Sequence, residues 1–237
     1  MQKVENIDCL VGLRAMEGGS VDLIVTDPPY NVGIDYGETT DDNKSREQFV
    51  EWMRPRFQEM RRVAKTVLIC GQGRLPDLAI IEPWKWLLAW WKPAAMGRSP
   101  VGFNNFEPIA MWGKGSSAGC DWIRAEIIPD EDIGWHPCPK PLQWGRKLIA
   151  LFPDAKTVLD PFAGSGTVPI AAEDLGKRWR GFEINAEYCK RANERIERWR
   201  AQGVLALDSY STKSYFRKKD LDGFSFELKK PNKEKIT

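Results

Sequence analysis

The chain has 237 residues, 42% hydrophobic and 29% charged, with 35 Lys/Arg against 33 Asp/Glu and a formal net charge of +2. That length suits one α/β domain with appendages and a substantial core, and so even a charge balance does not by itself announce a nucleic-acid binder. Five scattered cysteines without a Cys-x-x-Cys pair and a single histidine argue against zinc and disulfides, no leader sequence is seen, and the most apolar run, Trp84–Trp91, is too short to span a bilayer, so a reducing, cytoplasmic setting is expected.

In chain order, Lys3–Ile7 reads as a short strand ending at Asp8, and Leu10–Met16 as a helix closed by Gly18-Gly19. The apolar run Val21–Val25 reads as a buried strand. Residues 31–44 are polar, with glycine and repeated acids, and read as a mobile loop. Ser45 is a candidate helix cap. Arg46–Val63 carries helical spacing in Phe49, Trp52, Met53, Phe57 and Met60, with Pro55 as a candidate kink. Thr66–Cys70 is the next strand and Leu78–Ile81 a helical turn. Trp84–Trp91 and Phe106–Trp112 then read as antiparallel neighbours. Residues 113–135 look irregular. Pro141–Phe152 is a helix with proline in its first turn. The strand Val158–Asp160, the helix Thr167–Leu175, the strand Trp179–Glu183 and the helix Ala186–Gln202 complete a β-α alternation that implies a mostly parallel sheet covered on both faces. Residues 208–237 carry eight Lys/Arg and five Asp/Glu and read as a basic, loose tail.

Two segments carry chemistry. Thr26-Asp27-Pro28-Pro29-Tyr30 follows a strand, and its prolines stiffen the backbone without donating amide hydrogens. It puts an acid and an aromatic ring at a strand's carboxyl end, where open α/β sheets place ligands. Such a set suits a planar ring bearing an amino group, although Asp-Pro is also an ordinary strand-ending turn. Asp160-Pro161-Phe162-Ala163-Gly164-Ser165-Gly166-Thr167 is strand, glycine turn and helix start. Its glycines admit a ligand close to the backbone. It lacks the Gly-Lys-Ser/Thr of a phosphate loop and the third glycine of the dinucleotide fingerprint. A zwitterionic amino-acid group would suit it. Glu183 follows about twenty residues later, where an acid commonly binds ribose hydroxyls. The alternative is a tight βα turn beside a surface glutamate.

With His136-Pro137-Cys138-Pro139-Lys140-Pro141 between them, these motifs resemble the beta class of S-adenosylmethionine-dependent DNA amino-methyltransferases, which place the catalytic motif before the cofactor loop. The resemblance runs from about Val4 to Ile196. It implies a Rossmann-like, mixed, mostly parallel seven-stranded sheet with helices on both faces, formed by residues 1–207, with residues 113–135 as a short target-recognition insert. The family usually inserts a larger region, so relaxed recognition, a partner subunit or the basic tail would have to compensate. The implied activity is methylation of a flipped adenine N6 in double-stranded DNA. Cytosine N4 is the alternative; an RNA or protein amide methyltransferase and a non-catalytic cofactor- or DNA-binding module are more distant ones. The implied catalytic residues are Asp27, Pro28, Pro29 and Tyr30. S-adenosylmethionine would be held by Asp8, Cys9, Asp27, His136, Lys140, Asp160, Phe162, Gly164, Ser165, Gly166, Thr167, Glu183 and Ile184. Within that set, Asp8 faces the adenine ring, Glu183 the ribose and Lys140 the methionine carboxylate. His136 reads more readily as a structural residue of a proline-rich turn. No metal is expected. Arg98, Lys114 and Arg124 are candidate phosphate contacts. Trp84, Trp86, Trp90 and Trp91 form an edge suited to packing or a homodimer contact, and the location implied is cytoplasmic, beside the nucleoid.

Overall fold

The computed structural model describes residues 2–31, 33–34, 36, 42–71, 73–93, 95, 97–116, 119–127 and 134–203. The basic tail, and much of the loop expected at 31–44, therefore lie outside the described residues. In chain order the elements are β1 (Val4–Asn6), α1 (Cys9–Arg14), β2 (Val21–Thr26), α2 (Arg46–Val63), β3 (Ala64–Cys70), α3 (Leu75–Ile81), β4 (Trp86–Trp91), β5 (Arg98–Ser99), β6 (Gly102–Phe103), β7 (Phe106–Gly113), β8 (Trp122–Arg124), α4 (Leu142–Ala150), β9 (Thr157–Asp160), α5 (Thr167–Asp174), β10 (Arg178–Glu183) and α6 (Ala186–Gly203).

The main sheet has eight strands in the order β1-β10-β9-β2-β3-β7-β4-β8, one more than the seven expected. The extra strand comes from the stretch read as irregular. Three residues are too few to display an alternation, but Ile123 is buried and pairs beside Trp90. The Trp90 indole also donates to the Ala125 carbonyl at 2.9 Å, which fixes the chain there. Only β7 runs against the others: it is antiparallel to both β3 and β4, while the remaining pairs are parallel. A separate hairpin, β5–β6, had no counterpart among the expected elements.

The sheet is covered on both faces. One core gathers Phe49, Met53, Phe57 and Met60 of α2 with Ile24, Val67, Ala110 and Trp112. The other gathers Trp144 and Leu148 of α4, and Val168 and Ala171 of α5, with Val25, Leu68, Trp90 and Ile109. Phe57 meets Trp112 edge-on with ring centroids 4.9 Å apart, and truncating a fully buried aromatic of this kind costs about 3–5 kcal/mol. Helix α2 runs through Pro55 without interruption. It starts in a capping box in which Ser45 and Gln48 each accept from the other's backbone amide. Among the described residues no helix is long and apolar enough to cross a membrane.

This topology sets the site. β2 and β9 are parallel neighbours, registered Leu23 to Val158 and Ile24 to Leu159. The proline turn after β2 and the glycine turn after β9 must therefore open on the same sheet edge. Asp8 after β1 and Glu183 at the end of β10 stand on that edge too, so four strands each deliver an acid to it.

Candidate active site

A cleft of about 370 Å³ lies along this edge. Its walls include Asp8, Cys9, Asp27, Pro29, His136, Lys140, Asp160, Phe162, Gly164, Ser165, Thr167, Glu183 and Ile184, so segments far apart in the sequence meet in one place. Pro28, Tyr30 and Gly166 are not among the walls. Gly166 instead caps α5 with φ +79°, and a Cβ there would lie 3.4 Å from Ala192 Cβ.

On the glycine side the backbone does most of the shaping. Gly164 has φ +49°, and a Cβ there would lie 2.8 Å from His136 Nε2. Glu183 braces this bend: one carboxylate oxygen accepts from the Gly164 amide at 2.9 Å and the other from the Asn185 amide at 2.8 Å. Burial raises its pKa. Asp160 accepts from the Thr26 hydroxyl at 2.6 Å and the Phe162 amide at 3.1 Å, which stitches the two strands together. Burial outweighs those donors and pushes its pKa up to about 7. His136 Nδ1 accepts from the Cys138 amide at 3.2 Å, which assigns its hydrogen to Nε2, the nitrogen facing the glycine. Burial, with the charges of Lys140 and Arg195, lowers its pKa to about 4, so the ring is neutral. Arg195, itself buried, donates to the Ser165 carbonyl at 2.9 Å and to Thr167 Oγ1 at 3.1 Å.

Farther along the cleft Asp8 caps α1 through the Leu10 amide at 2.7 Å and pairs with Arg56 at 2.8 Å. The Arg56 guanidinium lies 4.4 Å from the Trp52 ring, and Trp52 lies 6.0 Å from Phe162. These aromatic walls suit a flat heterocycle. Trp52 was legible only as a member of a helical face, and Arg56 only as one charged residue within the same helix. Burial pushes the Cys9 thiol up to about 12, so it stays protonated and is no nucleophile.

The acid side is built from charges. Asp27 Oδ2 lies 2.7 Å from Lys140 Nζ, and its other oxygen accepts from the Tyr30 hydroxyl. That hydroxyl also lies 2.6 Å from Glu107 Oε1, and Glu107 in turn is 3.1 Å from Lys92 and 3.6 Å from Lys140. Glu107 and Lys92 are 3% and 6% exposed, so this is a buried, paired network. Tyr30 thus turns its hydroxyl toward the carboxylates, with Lys140 Nζ 5.2 Å from its ring. Lys140, expected at the methionine carboxylate, reaches Asp27. Burial opposes its charge, but Asp27 and Glu107 override burial and raise its pKa. Burial, assisted by Glu107, raises the pKa of Asp27 against the pull of Lys140. Burial also works against the charge of Glu107, yet Lys140, Tyr30 and Lys92 together lower its pKa. Asp27, Cys70 and Glu107 bring three donor atoms within 4.8 Å of one another, and the Lys140 ammonium already faces both carboxylates.

The turn is clamped from outside as well. Arg74 donates to the carbonyls of Tyr30 at 2.5 Å and Asn31 at 2.8 Å, and is held by the buried Asp77 at 3.0 Å. Glu107 and Lys92 had a faint sequence signal, single charges at the ends of otherwise apolar strands. Arg74 and Asp77 had none.

Of the candidate surface residues, Arg98 of the separate β5–β6 hairpin stacks on Phe103 at 4.3 Å, and Arg124, at the carboxyl end of β8, on the exposed Trp91 at 5.1 Å. Lys114 follows the opposite end of β7. Trp90 is core, and Trp86 and Trp91 are exposed.

A DNA methylase family model, covering N6 and N4 enzymes, matches residues 21–70 and 85–194. The protein YubD of Escherichia coli (strain K12) is 32% identical over 216 residues, 80% of this chain and 87% of that protein. The DNA adenine methyltransferase YhdJ of the same strain is 25% identical over 239 residues, 80% of this chain and 81% of that one. The crystal structure of the M1.HpyAVI–SAM complex superposes with a TM-score of 0.59 at 22% identity, covering 83% of this chain and 99% of that one.

Proposed function

The chain belongs to the DNA methylase family, and on that premise we propose that it transfers a methyl group from S-adenosylmethionine to the N6 amine of a flipped adenine in duplex DNA. One observation carries this reading: Asp27 and Gly164, from motifs more than a hundred residues apart, line a single cleft. The adenine assignment rests on the aspartate in the first place of Asp27-Pro28-Pro29-Tyr30 and on the similarity to YhdJ.

The residues present fit the cofactor. Gly164 leaves a space that any side chain would fill, and Glu183 and Asp160 each keep acceptor capacity beyond the amides and hydroxyl they already hold. Glu183 would take the ribose hydroxyls and Asp8 the adenine amine, with Trp52, Phe162 and Ile184 flanking the ring. When bound, S-adenosylmethionine supplies an electrophilic methyl group on a sulfonium. The cleft's task is orientation, because in-line transfer needs aligned reactants more than a strong base. An exocyclic amine is a weak nucleophile because its lone pair is delocalised into the ring. Asp27 accepts one of its hydrogens and the Pro28 carbonyl the other, which localises the pair toward the methyl group. The same carboxylate stabilises the positive charge that develops on nitrogen. Tyr30, which is not a wall of the cleft here, would stack on the base after it leaves the duplex once its ring comes forward. Arg98 and Arg124 would meet phosphates, with the short segment around β8 acting in target recognition.

Nucleoside mass spectrometry of duplex DNA treated with protein and S-adenosylmethionine tests the reading. N6-methyladenine is the expected product. N4-methylcytosine would move the chain to the other branch of its family, and no methylated base in any duplex would refute the proposal.

A further inference from the structure

The acid network contains more than base capture requires. Both Asp27 oxygens are engaged, one with Lys140 at 2.7 Å and one with the Tyr30 hydroxyl. An amine hydrogen arriving at Asp27 must therefore share the carboxylate with both partners. Glu107 faces the same two partners from β7, at 2.6 Å from the Tyr30 hydroxyl and 3.6 Å from Lys140. A hydroxyl carries one hydrogen and can donate to only one of the two carboxylates at a time. We propose that Glu107 is a positioning residue for methyl transfer: it takes over the Tyr30 hydroxyl and the Lys140 ammonium when Asp27 turns to the substrate amine. This rests on the methyl-transfer reading given above.

The geometry favours an exchange over a static brace. Lys140 needs to shift by less than an ångström to pair with Glu107 as closely as it now pairs with Asp27. Lys92, 3.1 Å from Glu107 and buried, keeps Glu107 ionised before and after the exchange. The two lysines and two carboxylates balance, so the handover moves partners without creating a net buried charge. Asp27 is faced by Lys140 from the segment before α4, Tyr30 from its own turn, Glu107 from β7 with Lys92 behind it, Cys70 at the end of β3, and Asp160 from β9. Among these Glu107 is the acid that raises the affinity of Asp27 for a proton.

A structural partner and a positioning residue make different predictions once both buried charges are removed. If Glu107 serves only to neutralise Lys92, then Lys92→Met/Glu107→Gln restores folding and rate together, because a buried ion pair exchanged for neutral groups of similar volume is often tolerated. If Glu107 is the receiving acceptor, that double variant folds but stays slow. The experiment measures single-turnover methylation of duplex DNA, at saturating S-adenosylmethionine and across pH, for the wild type, Glu107→Gln and the double variant, with cofactor affinity by calorimetry. The expected result is a rate about 30-fold or more below wild type in the double variant, with cofactor affinity within about threefold. The acid limb of its rate profile should move to lower pH, because loss of the neighbouring negative charge lets Asp27 ionise more readily. Glu107→Gln alone should be equally slow where it folds. A double variant that methylates within about threefold of wild type, with an unmoved acid limb, overturns the proposal while leaving the methyltransferase reading intact. A wild-type protein that methylates no DNA instead removes the reading on which the proposal stands.

Discussion

The two walls of the cleft are built on different principles. The glycine wall is built mainly from one contiguous segment, residues 160–167, whose backbone sets the shape; its acid, Asp160, accepts from an amide and a hydroxyl, and Glu183 of the next strand accepts from its Gly164 amide. The proline wall is five residues whose geometry is imposed from elsewhere: Lys140 from before α4, Glu107 from β7, Lys92 from after β4, and Arg74 from the start of α3. A binding cradle can be made from local conformation. A carboxylate that must sit in a dry site and be aimed needs partners, and the fold collects them from four places: Lys140 as the counter-charge of Asp27, Glu107 sharing its Tyr30 and Lys140 partners, Lys92 balancing Glu107, and Arg74 holding the turn's carbonyls.

The sharpest break in that comparison is steric. Gly164→Val should reduce cofactor affinity roughly 100-fold by calorimetry, from about 3 kcal/mol of left-handed strain and crowding against His136. Wild-type affinity would mean that the bend does not form the cradle. On the other wall, Arg74→Met removes two charge-assisted hydrogen bonds to the turn's carbonyls. It should lower turnover about tenfold while leaving cofactor affinity unchanged, and a fall in affinity without a fall in turnover would reverse the assignment of the two walls. The smallest effect concerns pH. The folded protein holds a proton on Asp160 up to about pH 7, whereas the unfolded chain releases it near the ordinary value of 3.8. The folded state therefore binds the extra proton within that window, and this group's contribution to stability falls as pH rises through it. Asp160→Asn, which cannot ionise, should show a flatter decline in Tm between about pH 5 and pH 7 than the wild type. Equal slopes would place the proton elsewhere.

The same contrast decides what could be read in advance. The glycine turn, its strand, its helix and the following Glu183 are neighbours in sequence with characteristic spacing, so their convergence was legible. So was the meeting of Asp27 with Gly164, because alternating β-α units imply parallel strands with ligand-bearing carboxyl ends. Glu107 and Lys92 were not legible as partners of Asp27. They lie about 80 and 65 residues from it, and their meeting depends on β7 and β4 being registered as Trp90 to Glu107, which no local pattern specifies. Arg74 looked like any polar residue of a turn until its carbonyl partners were in place. The eighth strand was missed because Trp122–Arg124 offers one buried residue between two exposed ones.

The central claim is that both walls serve one reaction, with Asp27 acting on the substrate amine and the glycine wall holding the methyl donor. The direct test compares wild type and Asp27→Ala for label transfer from S-adenosylmethionine to duplex DNA in a single turnover, with cofactor affinity measured on the same preparations. The account predicts equal affinity and a rate lower by about 10²–10³-fold in Asp27→Ala. Undiminished transfer by that variant, or lost affinity with an unchanged rate per bound cofactor, would contradict it.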